Sequence, residues 1–226
     1  MDIVYIFKEP DLQSLELKFS LRSVEKNLKH DKIFIIGESI PKWLQNVKFH
    51  KLKNIGVGKM LNISNAFNYL TSIENLSENF YLFWDDCFIL NPIETIPNYY
   101  NYTLEKSMKI RSENWHKQSI RKVYEVLPDG LDCEIHYPYI YNKIKLKELF
   151  EKFDYKQGYA MRSLYISYFD LLCTQHKDFK VWSLDDFKLI LEKKENFCST
   201  PNILMKNDYF YKTIKKLFPD KSKYEK

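Results

Sequence analysis

The chain has 226 residues, 45% hydrophobic and 29% charged, a balance that supports a buried core and excludes a membrane-type composition. A count of 35 basic against 30 acidic residues leaves a formal charge of +5, which permits anionic ligands such as nucleotides or nucleic acid without requiring them. The cysteines at 87, 133, 173 and 198 form no Cys-x-x-Cys pair, so neither a disulfide framework nor a zinc cluster is expected, and a reducing cytoplasm is. The opening "MDIVYIF" lacks the charge and length of a secretory signal, and no run approaches the ~20 apolar residues of a membrane span. A cytoplasmic protein with no membrane partner is the expectation.

In chain order, "DIVYIF" is the β-branched and aromatic run of a buried parallel strand. After "KEPD", the segment "LQSLELKFSLRSVEKNLK" carries Leu17, Leu21, Val24 and Leu28 at helical spacing. "KIFIIG" is a second buried strand and "VKFHKL" a weaker third. A helix from about Leu61 to Ile73 follows, then a strand opening at Phe80. Two β-α-β units within the first ninety residues define a parallel sheet with covering helices. Beyond residue 91 the pattern turns α-rich: one helical stretch in "LEKSMKIRSENWHKQSIRKVYEVL", an extended "CEIHYPYIYNK", and helices near Leu146–Phe153 and Met161–Cys173. With no repeat and no long linker, one domain is expected, with residues 1–92 as a sheet-forming half and 93–226 as an α-rich half.

The stretch "NFYLFWDDCFIL" sets Asp85 and Asp86 side by side at the carboxyl end of an apolar strand. Like charges so placed repel, and each loses hydration unless a cation or donor compensates. Adjacent carboxylates offer the hard oxygen ligands of Mg²⁺ or Mn²⁺. The alternative is that one caps a turn while the other is solvated. In parallel sheets ligands bind at carboxyl ends, where strand order reverses, and that favours a site. His136 stands beside Asp132 and Glu134 and is either structural, a metal ligand or a general base. Arg22 and Arg162 lie on half-apolar segments, each either paired to a carboxylate or aimed at an anion. "GVGKML" has Gly56 and Gly58 but Leu61 at the third glycine position, so it is no dinucleotide fingerprint.

Several of these stretches resemble the Stealth-type sugar-phosphate transferases and a set of phage-encoded glycosyltransferase-like proteins. The residues are the strand–helix opening with Glu16, Leu17, Lys18, Ser20, Leu21, Arg22 and Ser23, and the corner with Pro41, Trp43 and Leu44. Asn62, Asn65 and Ala66 stand in the helix before the acidic motif, and "FYLFWDDCFIL" is similar to that motif with Trp84 in place of Asn. "IHYPYIYNK", "RSLY" and the ending "NFCSTPN…LFPDKSKYE" continue the resemblance in the same order. It implies a GT-A-like, Rossmann-like α/β fold and metal-dependent transfer of a sugar from a nucleotide sugar, UDP-sugar first. It further implies a divalent cation on Asp85 and Asp86, donor contacts at Glu16, Arg22, Asn62 and Asn65, phosphate binding by Arg162, and a catalytic or metal role for His136. The alternatives it leaves are sugar-phosphate transfer to glycans and a nucleotide-sugar-binding protein without turnover.

The acceptor stays open among a glycan, a small molecule and a modified base of phage DNA in a host cytoplasm. A DNA acceptor requires the Lys-rich segments "KIKLKELFEKF" and "YKTIKKLF" to share one basic face. It also requires Tyr137, Tyr139 or Trp115 to hold an extruded base.

Overall fold

The structure, a computed structural model, describes residues 1–8, 14–56 and 58–226. Residues 9–11, the expected helical residues Leu12 and Gln13, and Val57 lie outside the described residues. The first half runs β1 (Asp2–Ile6), α1 (Leu15–Asn27), β2 (Ile33–Gly37), β3 (Lys48–Lys51), α2 (Lys59–Leu70), β4 (Asn79–Phe83) and β5 (Cys87–Ile89). The second opens with β6 (Tyr99–Tyr100), β7 (Tyr102–Thr103), α3 (Leu104–Ile110), α4 (Trp115–Val126), β8 (Leu131–Asp132) and β9 (Tyr139–Asn142). It closes with α5 (Lys143–Lys152), a 3-10 turn at Tyr155–Gln157, α6 (Met161–Tyr168), β10 (Thr174–Gln175), α7 (Leu184–Glu192), β11 (Phe197–Ser199), α8 (Asn202–Met205) and α9 (Asp208–Leu217).

The five-stranded sheet has the order β3-β2-β1-β4-β9, with the first four strands parallel and β9 antiparallel to β4. Tyr5 at the centre lies opposite Ile35 on one side and Phe83 on the other. Ile3, Val4, Phe34, Ile35, Leu82 and Phe83 are fully buried, as continuous apolar runs covered on both faces must be. The chain steps outward from β1 to β2 and β3, then returns across β1 to place β4 on its other side. Strand order therefore reverses between β1 and β4, which is where such sheets open a crevice at their carboxyl ends.

Helix α1 turns Leu17, Leu21 and Val24 into the sheet core, and its polar residues do a second job. Ser20 Oγ donates to the Cys87 carbonyl at 2.6 Å, the Ile89 amide donates to Ser23 Oγ at 3.0 Å, and Asn27 Nδ2 donates to the Ile89 carbonyl at 2.6 Å. Side chains thus satisfy one edge of β5 while β11 pairs antiparallel with the other. A second core joins Phe19 of α1 and Phe88 of β5 to Phe187, Phe210, Ile214 and Phe218.

Two element expectations change. The single helix expected through residues 104–127 is broken between α3 and α4. There Arg111 turns to the buried Asp132 at 2.6 Å, and the Asn114 side chain caps α4 by accepting from the His116 and Lys117 amides. The helix expected through Cys173 ends at Tyr168, just before Asp170 with φ 45°. Among the described residues no helix is long and apolar enough to cross a membrane.

Candidate active site

Asp85 and Asp86 occupy the turn between β4 and β5, so the acidic pair sits past the end of its strand rather than within it. Two cavities meet there. The larger, about 650 Å³, lies over the ends of β1, β2 and α2 and is lined by Phe7, Gly37, Glu38, Asn62 and Trp84, among others. The smaller, about 340 Å³, is lined by Glu16, Asp86, Lys180, Thr200 and Pro201. Lys8, just past β1, and Asp85, just past β4, line both, so the cavities join at the reversal of strand order. Gly37 admits this close approach, because a Cβ there would lie 2.2 Å from the Phe7 carbonyl oxygen.

The cation that the acidic pair demands is in part internal. Lys180 Nζ lies 2.5 Å from Asp86 Oδ2 and also donates to the Thr200 carbonyl at 2.8 Å. Ser199 Oγ donates to the same carboxylate oxygen at 3.0 Å. Nothing local in the sequence marks Lys180, 94 residues from its partner; only the extended "DFKVW" ahead of a capped helix hints at an ordered strip. One ammonium does not neutralise the cluster. Burial and the charge of Asp86 push the Asp85 carboxyl up to about 7. Burial, then Asp85 and Asp86, push Glu16 up to about 8, with Lys180 opposing. Near neutral pH this corner of the crevice holds protons that ordinary carboxylates would have lost.

The remaining candidates divide. Asn62 lines the larger cavity, but its amide is engaged in its own loop: Oδ1 accepts from the Ile55 and Gly56 amides, and Nδ2 donates to the Gly56 carbonyl at 2.9 Å. Asn65 is half-buried on α2 and lines neither cavity. Arg22 is committed elsewhere. Its guanidinium grips Glu225 through two hydrogen bonds of 2.7 Å and donates to the Phe218 carbonyl, so an ion pair replaces the expected donor contact. Arg162 is buried, donates Nη1–H to the Ile135 carbonyl, and lies over the rings of Tyr139 at 4.5 Å and Trp84 at 5.7 Å. Its Nη2 has no hydrogen-bond partner among the described residues, and Arg162 is not in the lining of the larger cavity, whereas Trp84 is.

His136 does not join the aspartates. Its Nδ1 pairs with Asp178 Oδ2 at 2.8 Å, and its backbone amide donates to Asp178 Oδ1. Among the described residues no three His, Cys, Asp or Glu side chains group as metal ligands, and Asp85, Asp86 and His136 form no such group. Two carboxylates lining one cavity still fit Mg²⁺, which is usually held by one or two carboxylates with substrate phosphates and water completing the shell. Of the aromatics expected to serve a DNA acceptor, Tyr137 and Tyr139 are buried and Trp115 is exposed, while α5 packs by Leu146 and Leu149 into the sheet core and α9 by Phe210 and Ile214 into the second core.

Compared with known proteins, the chain matches no family model and no curated sequence significantly.

Proposed function

We propose that this chain is a glycosyltransferase that moves a sugar from a nucleotide-sugar donor to an acceptor hydroxyl. The observation that carries the reading is the joined crevice at the β1/β4 reversal, where Asp85 connects a 650 Å³ cavity to a 340 Å³ acidic one. The larger volume falls within the 300–1,000 Å³ range of small-molecule and cofactor sites. Its apolar floor of Ile6, Ile36, Leu52 and Ala66 suits a nucleoside, and Lys8, Lys53 and Lys59 suit a diphosphate. The order β3-β2-β1-β4 with an antiparallel β9 and acids after β4 supports a GT-A-like reading of the fold.

In this reading the C1–O bond to the diphosphate breaks, a C1–O bond to the acceptor forms, and the acceptor proton passes to a base. Asp85 and Asp86 would hold a divalent cation, which when bound neutralises charge on the leaving diphosphate. Lys180 holds Asp86 in place, and Lys8 lies where it meets anionic oxygens in either cavity. His136, with Nδ1 held by Asp178, offers Nε2 as a proton acceptor.

The test is incubation with a panel of nucleotide sugars, with and without Mn²⁺, and chromatography of the released nucleotide. Nucleoside diphosphate is the expected product. Nucleoside monophosphate would replace glycosyl transfer by sugar-phosphate transfer. No release and no thermal stabilisation by any donor would overturn the reading.

A further inference from the structure

Between β10 and α7 the chain runs extended, and its residues alternate. Phe179 and Val181 are buried, whereas Asp178, Lys180 and Trp182 point to the opposite face. The face is fixed by pairing of Lys180 with Ser199 and by the Val181 amide donating to the Ser199 carbonyl at 2.9 Å. Each outward residue has a specific attachment. Asp178 holds His136, Lys180 holds Asp86, and the Trp182 backbone is tied by its amide to Asp186 Oδ2 at 3.0 Å, inside the capping box of α7.

The Trp182 ring itself is 70% exposed, on a backbone that is held still. The Lys180 ammonium lies 5.8 Å from its ring centroid and 2.5 Å from Asp86, so the indole stands one side chain away from the acidic cavity. A large, rigid aromatic face beside converging carboxylates is a pattern that recognises a ring with apolar and hydroxylated sides.

Resting on the transferase reading above, we propose that the outward face of Asp178–Trp182 is the acceptor wall, with Trp182 as the platform on which a neutral sugar ring of a glycan acceptor stacks. The C–H face of a pyranose fits the indole, and its hydroxyls reach the carboxyls of the smaller cavity. Of the aromatics that could hold an extruded base, Tyr137 and Tyr139 are buried, and the exposed Trp115, on α4, lines neither cavity, whereas Trp182 stands beside the acidic one. Asp178 is a positioning residue on this wall, acting through His136.

The experiment is indole N–H spectroscopy of ¹⁵N-labelled protein, with Trp43, Trp84, Trp115 and Trp182 assigned by single Trp→Phe variants. The probes are UDP and other nucleoside diphosphates, methyl glycosides of neutral hexoses and N-acetylhexosamines, and a short DNA duplex. Nucleoside diphosphate is expected to move Trp84, and a methyl glycoside to move Trp182. Trp182→Ala should weaken glycoside binding about tenfold, and Trp182→Phe should keep part of it. A Trp84 response without any Trp182 response to glycosides overturns the wall and leaves the transferase reading standing. A Trp182 response to duplex DNA at physiological salt overturns the glycan assignment. Silence at both indoles removes the donor site and the wall together.

Discussion

Lys180 and Asp86 form a 2.5 Å ion pair that makes the two adjacent aspartates unequal. Asp86 is held by an ammonium and a serine hydroxyl, whereas burial and the neighbouring charge of Asp86 push Asp85 up to about 7. Asp86→Asn leaves the Lys180 ammonium, 9% exposed, with neutral partners only, and should cost about 2 kcal/mol of folding stability. Asp85→Asn removes the repelled member and should be neutral or stabilising. Urea unfolding of both variants at neutral pH checks this; equal destabilisation would mean the two carboxylates carry the same structural load.

The protons held by Asp85 and Glu16 make stability depend on pH with a definite sign. Their folded values of about 7 and about 8 lie above the ordinary 3.8 and 4.5, so the folded state binds more protons than the unfolded chain between those limits. Stability from these groups is full below about pH 4 and is lost as pH rises through about 8, on the order of a few kcal/mol. Glu16→Gln should flatten that descent. A wild-type unfolding free energy that does not fall relative to Glu16→Gln over this window would contradict the assignment.

Arg22 and Glu225 predict a stability effect without a binding effect. Their side chains are 11% and 3% exposed, and breaking such a pair leaves a buried charge, so Arg22→Ala should cost about 3 kcal/mol. Burial pushes the Glu225 carboxyl up, but the Arg22 guanidinium outweighs it and holds the carboxyl below its ordinary value. That contribution is present above the ordinary carboxylate range and is lost as pH falls through the depressed value. Calorimetry with nucleoside diphosphate should give unchanged affinity for the variant; a large loss there would restore Arg22 as a donor contact.

Gly37→Ala tests the crevice itself. A Cβ placed 2.2 Å from a backbone oxygen forces β2 away from the segment after β1. We expect a cost of about 1–3 kcal/mol and weaker nucleotide binding, because the same two segments line the larger cavity. Thermal unfolding with and without nucleoside diphosphate reads both effects.

What could be read from the chain alone follows from how local each signal is. The runs "DIVYIF", "KIFIIG" and "NFYLF" reveal β1, β2 and β4 because burial on both faces requires continuous apolar residues. Asp85 and Asp86 are visible as charge at the end of such a run. The α3–α4 break was legible in principle, since Asn114 is a good cap, but the pull of Asp132 on Arg111 is long-range. Lys180, Asp178 and Glu225 have partners 94, 42 and 203 residues away, and no periodicity encodes those distances. The serines of α1 show the opposite case: Ser20 and Ser23 stand together in a local Ser-Leu-Arg-Ser pattern, and their work is to hold β5.

Helix α1 also sets a problem of timing. Arg22 pairs with Glu225 and Phe19 packs with Phe88 and later with Phe210 and Phe218, so a ribosome delivers α1 about two hundred residues before its outer surface is fully covered. During synthesis the nascent chain carries a partly covered Phe19 and an unmatched Arg22 guanidinium. The natural point of vulnerability is therefore the interval before α9 and Glu225 emerge, when a holdase or a neighbouring nascent chain competes with α9 for the same surface.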